Sequence, residues 1–339
     1  MPKIGHILVI RLSAMGDVAM TVPVIRIFRE QYPEVELTIL TKPFFKPLFD
    51  NIPNCKVVTA NTKHDHKGLL GLWKLSRTLR TLKFEAVADL HNVLRSKILR
   101  TFLFGKNIAV IDKGRSEKRA LTNGTNVVQL KSTHQRYADV FDKLGYPIDL
   151  SNPVFFNRAK LSSEVIKVIG QEPLKWIGIA PFAAFDGKQY PVSLMHEVIE
   201  ELSKDHKILL FGAGNEEADQ LQNWQDEFKN VINLAGVFSF KEELDIISNL
   251  DLMLSMDSGN AHLAAMYGVQ VITLWGVTHP YAGFLPFAQS IDSALLSDRI
   301  QYPKIPTSIY GNKVPEGYEN VMSSIPPQDV VSKIRLFLN

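Results

Sequence analysis

The sequence predicts an α/β protein of two Rossmann-like, doubly wound domains facing across a cleft, and three observations carry that expectation. A chain of 339 residues exceeds the roughly 250 to 300 residues at which a single hydrophobic core stops growing. Short apolar runs rich in branched residues alternate with stretches of helical period, the mark of βαβ units around a parallel sheet. Such a series occurs twice in succession, separated by a stretch where the alternation lapses and without a detectable sequence repeat.

The elements follow in order. HILVIRL (His6 to Leu12) reads as a buried first strand, and Ser13-Ala14-Met15-Gly16-Asp17 as the tight loop after it. Val18, Val22, Ile25 and Phe28 then recur at helical spacing and place one apolar stripe on a helix. VELTILT, FEAVADL and NIAVID supply further strands, with helices over Gly68 to Leu82 and Val93 to Phe104. From about Gly114 to Arg158 the pattern weakens: a helix from His134 to Leu144 leads into Gly145-Tyr146-Pro147 and the turn-prone Ser151-Asn152-Pro153. The linker belongs there, giving a first domain of residues 1–155. WIGIAPF, HKILLFG, NVINLAG, DLMLSMD and VQVITLWG are the strands of a second domain, 156–325. Pro303 to Asn320 reads as an irregular excursion and Pro327 to Leu338 as a closing helix, with 326–339 expected to pack back toward the first domain.

Composition narrows the function classes. With 45% hydrophobic and 22% charged residues the chain is globular rather than disordered. The single cysteine, Cys55, excludes an intramolecular disulfide framework and a cysteine zinc site, suits a reducing compartment and is expected to be inert. The apolar run from Ile7 to Ile10 is too short for a signal sequence or a membrane span, so a cytoplasmic location is expected. The formal charge of +3 hides an asymmetry: Thr41 to Arg119 holds 17 Lys plus Arg against 6 Asp plus Glu, a local net of +11, which leaves about −8 for the rest. That basic stretch is either a solvated face or a surface for an anionic acceptor or membrane. Nucleic acid fits less well, because no binding motif accompanies the charge.

In open α/β sheets ligands sit beyond the carboxyl ends of the strands, so the chemistry is sought in the loops that follow them. In the first, Gly16 permits a tight turn or a close ligand approach. Asp17 either caps the helix or faces the cleft as a general base that deprotonates a hydroxyl. In the second, residues 180–191, Lys188 is either a solvated loop lysine or a point charge for a phosphate. The third, Gly212-Ala213-Gly214, lacks the last glycine of a dinucleotide fingerprint, so NAD is not indicated; Glu216 is a candidate for a ribose hydroxyl or an exposed helix-start glutamate. In the fourth, Asp257-Ser258-Gly259-Asn260-Ala261-His262, a strand ends at a helix whose free amides would receive a pyrophosphate. The alternative is that Ser258 caps the helix and His262 packs inside it. No metal cluster emerges; His64-Asp65-His66 reads as a polar loop. Charge on a departing diphosphate would then fall to Lys188 and a helix N-terminus, without a metal ion or other cofactor.

Taken together these loops resemble glycosyltransferase family 9, the ADP-heptose:lipopolysaccharide heptosyltransferases. The resemblance rests on ILVIRLSAMGDVAMTVPVIRIF, ADLHNVLRSKILR, IAPFAAFDGKQYP and MDSGNAHLAAMYGVQVITLWGVTHP, in that order along the chain. It implies a GT-B fold and a metal-independent transfer with inversion. Asp17 would be the base, Lys188 would contact donor phosphate, and Asp257, Ser258, Gly259 and His262 would form the loop at the nucleotide-sugar. Glu216 is matched less closely, since Glu217 stands beside it. The resemblance further implies an ADP-heptose donor and an anionic lipid A-Kdo acceptor at the inner leaflet, with transient docking on that membrane surface. Two departures stand out: Thr307, Val314 and Val321 occupy positions where cysteines are expected, and Gly259-Asn260 differs from the commoner Gly-Pro or Gly-Leu. A transferase of the same family with another donor or acceptor, a nucleotide-sugar epimerase on the same plan, and a non-catalytic nucleotide-binding module are the alternatives.

Overall fold

The computed structural model describes residues 5–338; the first four residues of the expected first domain and Asn339 of the closing helix lie outside the described residues. The chain divides into two compact units, Met1–Lys113 with Thr133–Val154, and Gly114–Ser132 with Phe155–Asn339. In chain order the first part holds β1 (His6–Ile10), α1 (Met15–Ala19), α2 (Thr21–Gln31), β2 (Glu36–Thr41), β3 (Cys55–Thr59), α3 (Gly68–Arg80), β4 (Ala86–Asp89), α4 (Leu94–Phe102) and β5 (Asn107–Val110). Then come α5 (Arg115–Thr122), α6 (Thr133–Asp142), α7 (Ser163–Ile169), β6 (Trp176–Ala180), α8 (Val192–Leu202), β7 (Lys207–Leu210), α9 (Asn215–Glu227) and β8 (Val231–Asn233). The chain closes with α10 (Phe240–Ile247), β9 (Leu252–Met256), α11 (Gly259–Ala265), β10 (Gln270–Trp275), β11 (Ala294–Leu296) and α12 (Pro327–Leu338).

The first sheet has the order β3-β2-β1-β4-β5 and every pairing in it is parallel. All five residues of β1 are buried, as its unbroken apolar run requires of a central strand covered on both faces. Helix α2 buries Val22, Ile25 and Phe28; the Phe28 ring meets Phe141 of α6 at 4.8 Å and Tyr146 at 5.8 Å, which ties residues 133–154 to this unit. The sheet reverses direction of winding between β1 and β4, so its ligand crevice opens beyond Ile10 and Asp89.

The second sheet runs β11-β10-β9-β6-β7-β8, again parallel throughout, with its switch point between β6 and β9. Ile177, Ile179, Leu252, Leu254, Ile272 and Leu274 form the middle of its core. Two expectations about domain make-up change here. Gly114–Ser132, expected with the first half, belongs to the second unit: Leu121 and Leu130 pack with Ala282, and the Leu130 amide donates to the Tyr281 carbonyl at 2.9 Å. The closing helix α12, expected to pack back toward the first domain, is built into the second core. Its Val330, Val331 and Ile334 are buried with Met195 and Val198 of α8, because those apolar residues at helical spacing complete the layer over β9 and β10.

Candidate functional site

In the first unit, the loop after β1 is organised by Arg11. Its amide continues the ladder by donating to Leu40 at 3.1 Å, while its side chain turns inward and is buried. One guanidinium nitrogen donates to the Leu90 carbonyl at 2.7 Å, and another pairs with Asp17 Oδ2 at 2.5 Å. The guanidinium carbon lies 5.8 Å from the centre of the Tyr137 ring. The Tyr137 hydroxyl, which burial pushes well above its usual range, donates to the Asp17 carbonyl at 3.2 Å. The Asp17 carboxylate also accepts from the Ala14 amide at 3.3 Å, a bond that closes the first turn of α1. Yet its side chain is still 34% exposed. Asp17 therefore takes part in capping and also offers a carboxylate to an approaching group. Gly16 is part of α1, its carbonyl accepting from Met20 at 2.9 Å, so of its two alternatives the tight turn is not the one the fold adopts.

The neighbouring strand contributes His91. At the end of β4 the buried Asp89 accepts from the His91 and Asn92 amides, both at 2.9 Å, and pairs with Arg100 at 3.2 Å. Asn92 takes a left-handed φ of 46°, which its short polar side chain tolerates, and bonds the Ile111 carbonyl at 3.1 Å. This turn holds the His91 imidazole in the interior, where burial first and the Arg11 charge second depress it to about 3. It is a neutral ring at pH 7, with Nδ1 buried and, among the described residues, without a hydrogen-bond partner. Arg11 and His91 were not singled out by sequence reasoning, although both lie inside quoted motifs.

In the second unit, β6 opens into residues 181–191, and Lys188 ends a 3-10 turn, Asp186–Lys188. Its Nζ donates to the Asp257 carbonyl at 2.9 Å and pairs with Asp257 Oδ2 at 2.8 Å, and both residues are largely buried. The solvated-lysine alternative is therefore not what the fold makes of Lys188. The irregular excursion holds this lysine in place. Gly311, at φ +83°, lies against its stem so closely that a Cβ there would sit 2.5 Å from Lys188 Cγ. Gly187 is packed in the same way, 2.6 Å from the Gly311 carbonyl and 3.0 Å from Val314 Cγ2 by the same measure, and its carbonyl accepts from Val277 at 2.9 Å. Thr307 and Ser308 donate their amides to Val277, and Val321 is buried in the second core. The three positions without cysteine are thus packing and hydrogen-bonding positions of the excursion.

At the end of β9, Ser258 precedes α11 in an extended conformation and makes no side-chain cap; its Oγ meets Ser255 Oγ at 3.0 Å instead. The capping alternative for Ser258 is not realised, which leaves the helix-start amides of Gly259 and its successors without a side-chain acceptor from Ser258. His262 is buried within α11. Glu217 accepts from the Ala213 amide at 2.7 Å and is engaged in the turn, whereas Glu216 is exposed in the first turn of α9. So Lys188, Asp257, Ser258, Gly259 and His262 gather at the second switch point, and Glu216 stands on the next loop of the same sheet.

Other sequence expectations find their place. His66 Nδ1 accepts from the Asn61 amide at 3.0 Å, so the His64-Asp65-His66 trio is part of a folded loop. Burial pushes the Cys55 thiol up to about 12, so it stays protonated at neutral pH. Among the described residues, no helix is long and apolar enough to cross a membrane.

A model of glycosyltransferase family 9 (heptosyltransferase) matches residues 72–306. The lipooligosaccharide heptosyltransferase 2 of Haemophilus influenzae is 26% identical over 355 residues, covering 98% of this chain and 99% of that protein. Among solved structures, the glycosyl transferase family 9 protein of Veillonella parvula superposes with a TM-score of 0.77 at 18% identity, covering 98% of this chain and 97% of that one. The E. coli ADP-heptose lps heptosyltransferase II gives 0.70 at 19% identity, covering 98% of each chain. Two doubly wound units with a carboxylate after the first strand, the GT-B likeness of those structures, and a family model spanning well over half the sequence agree: the chain is a glycosyltransferase and belongs to glycosyltransferase family 9.

Proposed function

We propose that the protein transfers a heptose from ADP-heptose to an anionic, lipid-anchored inner-core acceptor of lipopolysaccharide, with inversion and without a metal ion, at the cytoplasmic face of a membrane. The observation that carries the reading is the Asp17 carboxylate. It is paired with the buried Arg11, while Tyr137 holds the Asp17 backbone carbonyl, yet the side chain is a third open to solvent, shortly after the central strand of the first sheet. In the reaction the acceptor hydroxyl gives its proton to Asp17 as its oxygen bonds to the anomeric carbon. The bond from that carbon to the diphosphate oxygen breaks on the opposite side, and ADP departs with the electron pair.

Lys188 and the amides at the start of α11 are the groups proposed to meet the growing diphosphate charge. Lys188 is held by Asp257, so it acts as a preorganised donor that needs no rearrangement as charge develops. Ser258 and Gly259 are read as the approach to the phosphates, His262 as a wall of that loop, and Glu216 as a ligand of a ribose hydroxyl. The ADP-heptose donor is supported by the E. coli heptosyltransferase II likeness, and the acceptor class by the Haemophilus relative. The test is Asp17→Asn assayed with ADP-heptose and an inner-core acceptor, with and without a chelator. Turnover should fall by about 10²- to 10⁴-fold while ADP binding stays unchanged, and the chelator should leave the wild-type rate intact. Full turnover in Asp17→Asn would refute the base assignment; loss of rate on chelation would refute the metal-free reading.

A further inference from the structure

Helix α3 presents two unlike faces. Gly71, Leu72, Leu75, Ser76 and Leu79 are buried against the first core. The opposite face carries Leu69, Leu70 and Trp73, which are 62%, 82% and 48% exposed in the whole chain. At about 100° per residue these three side chains share one arc of the helix, and Lys74, Arg77 and Arg80 continue it toward the C-terminus. The Arg77 guanidinium lies 5.1 Å from the centre of the Trp73 ring, and that of Arg80 lies 4.6 Å from Phe104, itself 73% exposed. The orientation of this face is fixed from below, because a Cβ on Gly71 would sit 2.5 Å from the His66 carbonyl carbon.

A single exposed leucine needs no explanation, but several large apolar groups on one contiguous, cation-flanked face do. Residues 63–83 hold six Lys or Arg against one acidic residue, Asp65. An amphipathic segment with Trp and Leu at its crest and cations at its margin matches the boundary of an anionic bilayer, where arginine stems lie along the apolar layer and their heads stay at phosphate level. A second copy of the chain fits poorly, since a two-fold contact through this face would set Lys74 and Arg77 near their own duplicates.

We propose that the exposed face of α3, with Leu69, Leu70 and Trp73 inserted and Lys67, Lys74 and Arg77 at the headgroups, is the element that docks the protein on an anionic phospholipid surface. Its purpose rests on the proposed lipid-anchored acceptor; the surface itself is read from α3 alone. Co-sedimentation with vesicles of about 30 mol % phosphatidylglycerol in phosphatidylcholine tests it, with pure phosphatidylcholine as the neutral counterpart. The protein should bind the anionic vesicles only, and less as salt rises. The double variant Leu70→Glu, Trp73→Glu should lower partition at least about tenfold, and Lys74→Glu, Arg77→Glu likewise. Melting temperatures should hold, since these side chains lie outside the core.

No binding to anionic vesicles, equal binding to neutral ones, or variants that bind as the wild type does would overturn the proposal. So would dimerisation that Leu70→Glu abolishes in a protein indifferent to vesicles. Transfer to a delipidated, water-soluble acceptor separates the two readings. Intact transfer without vesicle binding removes the docking face alone, and vesicle binding without transfer removes the substrate assignment alone.

Discussion

Arg11 joins three parts of the first unit through one planar cation: the loop after β1 through Asp17, the loop after β4 through the Leu90 carbonyl, and α6 through Tyr137. A lysine cannot reproduce that fork, and an amide carries no charge. Arg11→Gln is therefore expected to lower kcat about ten- to a hundredfold by freeing the Asp17 carboxylate while leaving ADP affinity unchanged. The Leu90 carbonyl, losing its donor, adds about 1–3 kcal/mol of destabilisation, which a thermal melt beside steady-state kinetics would show. His91 gives a prediction in pH. Its folded value lies far below the unfolded 6.5, chiefly through burial, so the unfolded chain takes up a proton first as the solution is acidified. Stability supplied by the neutral ring is complete above about pH 6.5 and is lost as pH falls toward 3, by about 2 kcal/mol at pH 5. His279 in the second unit, depressed to about 4 by burial and then by Arg299, acts in the same direction. Melting temperature should decline between about pH 7 and pH 5, and His91→Gln should flatten that decline. Arg11 was hidden in the sequence because a charged residue after a strand reads as solvated until tertiary contacts bury it.

Among the elements, legibility followed burial. The central strands β1, β6 and β9 were readable because both their faces are covered and their residues are almost all apolar. Strand β3 is not legible in the sequence: as an edge strand it is only half-buried, and Lys56 breaks the run. Strand β11, three residues at the other sheet's edge, leaves no periodic signal at all. The four loops holding Asp17, Lys188, Glu216 and Asp257 were found by their place after strands, a rule of topology that needs no coordinates. The partners that set those side chains were not legible, because Gly311 lies more than a hundred residues from Lys188 and glycine carries no pattern. Gly311→Ala adds a methyl where the lysine stem lies and at a φ that disfavours it, so a loss of about 1–3 kcal/mol is expected. ADP affinity, measured by calorimetry, should fall alongside it. Asp89→Ala should act on α4 and the His91 turn together: two amides and Arg100 lose a fully buried acceptor, for a loss of about 3–5 kcal/mol in denaturant melts.

At the scale of the molecule, each half is a complete doubly wound sheet with its own core and its own switch point, which the doubled alternation of strands and helices announced. The allotment of segments to halves was harder, since Gly114–Ser132 and α12 join the second unit through contacts that no local pattern encodes. ADP should raise the melting temperature through the second unit in proportion to occupancy; Lys188→Ala should abolish that rise and, because it leaves the buried Asp257 carboxylate without its cation, should also cost about 3–5 kcal/mol of unliganded stability. The excursion that braces Lys188 also exposes Asn312, Lys313, Glu316 and Gly317 to solvent. A protease that nicks the backbone there would leave both sheets intact and every proposed ligand in the sequence, yet slacken the splint behind one ammonium group. The cut enzyme would remain folded and lose its grip on nucleotide, and bound nucleotide would in turn shield that stretch from cutting.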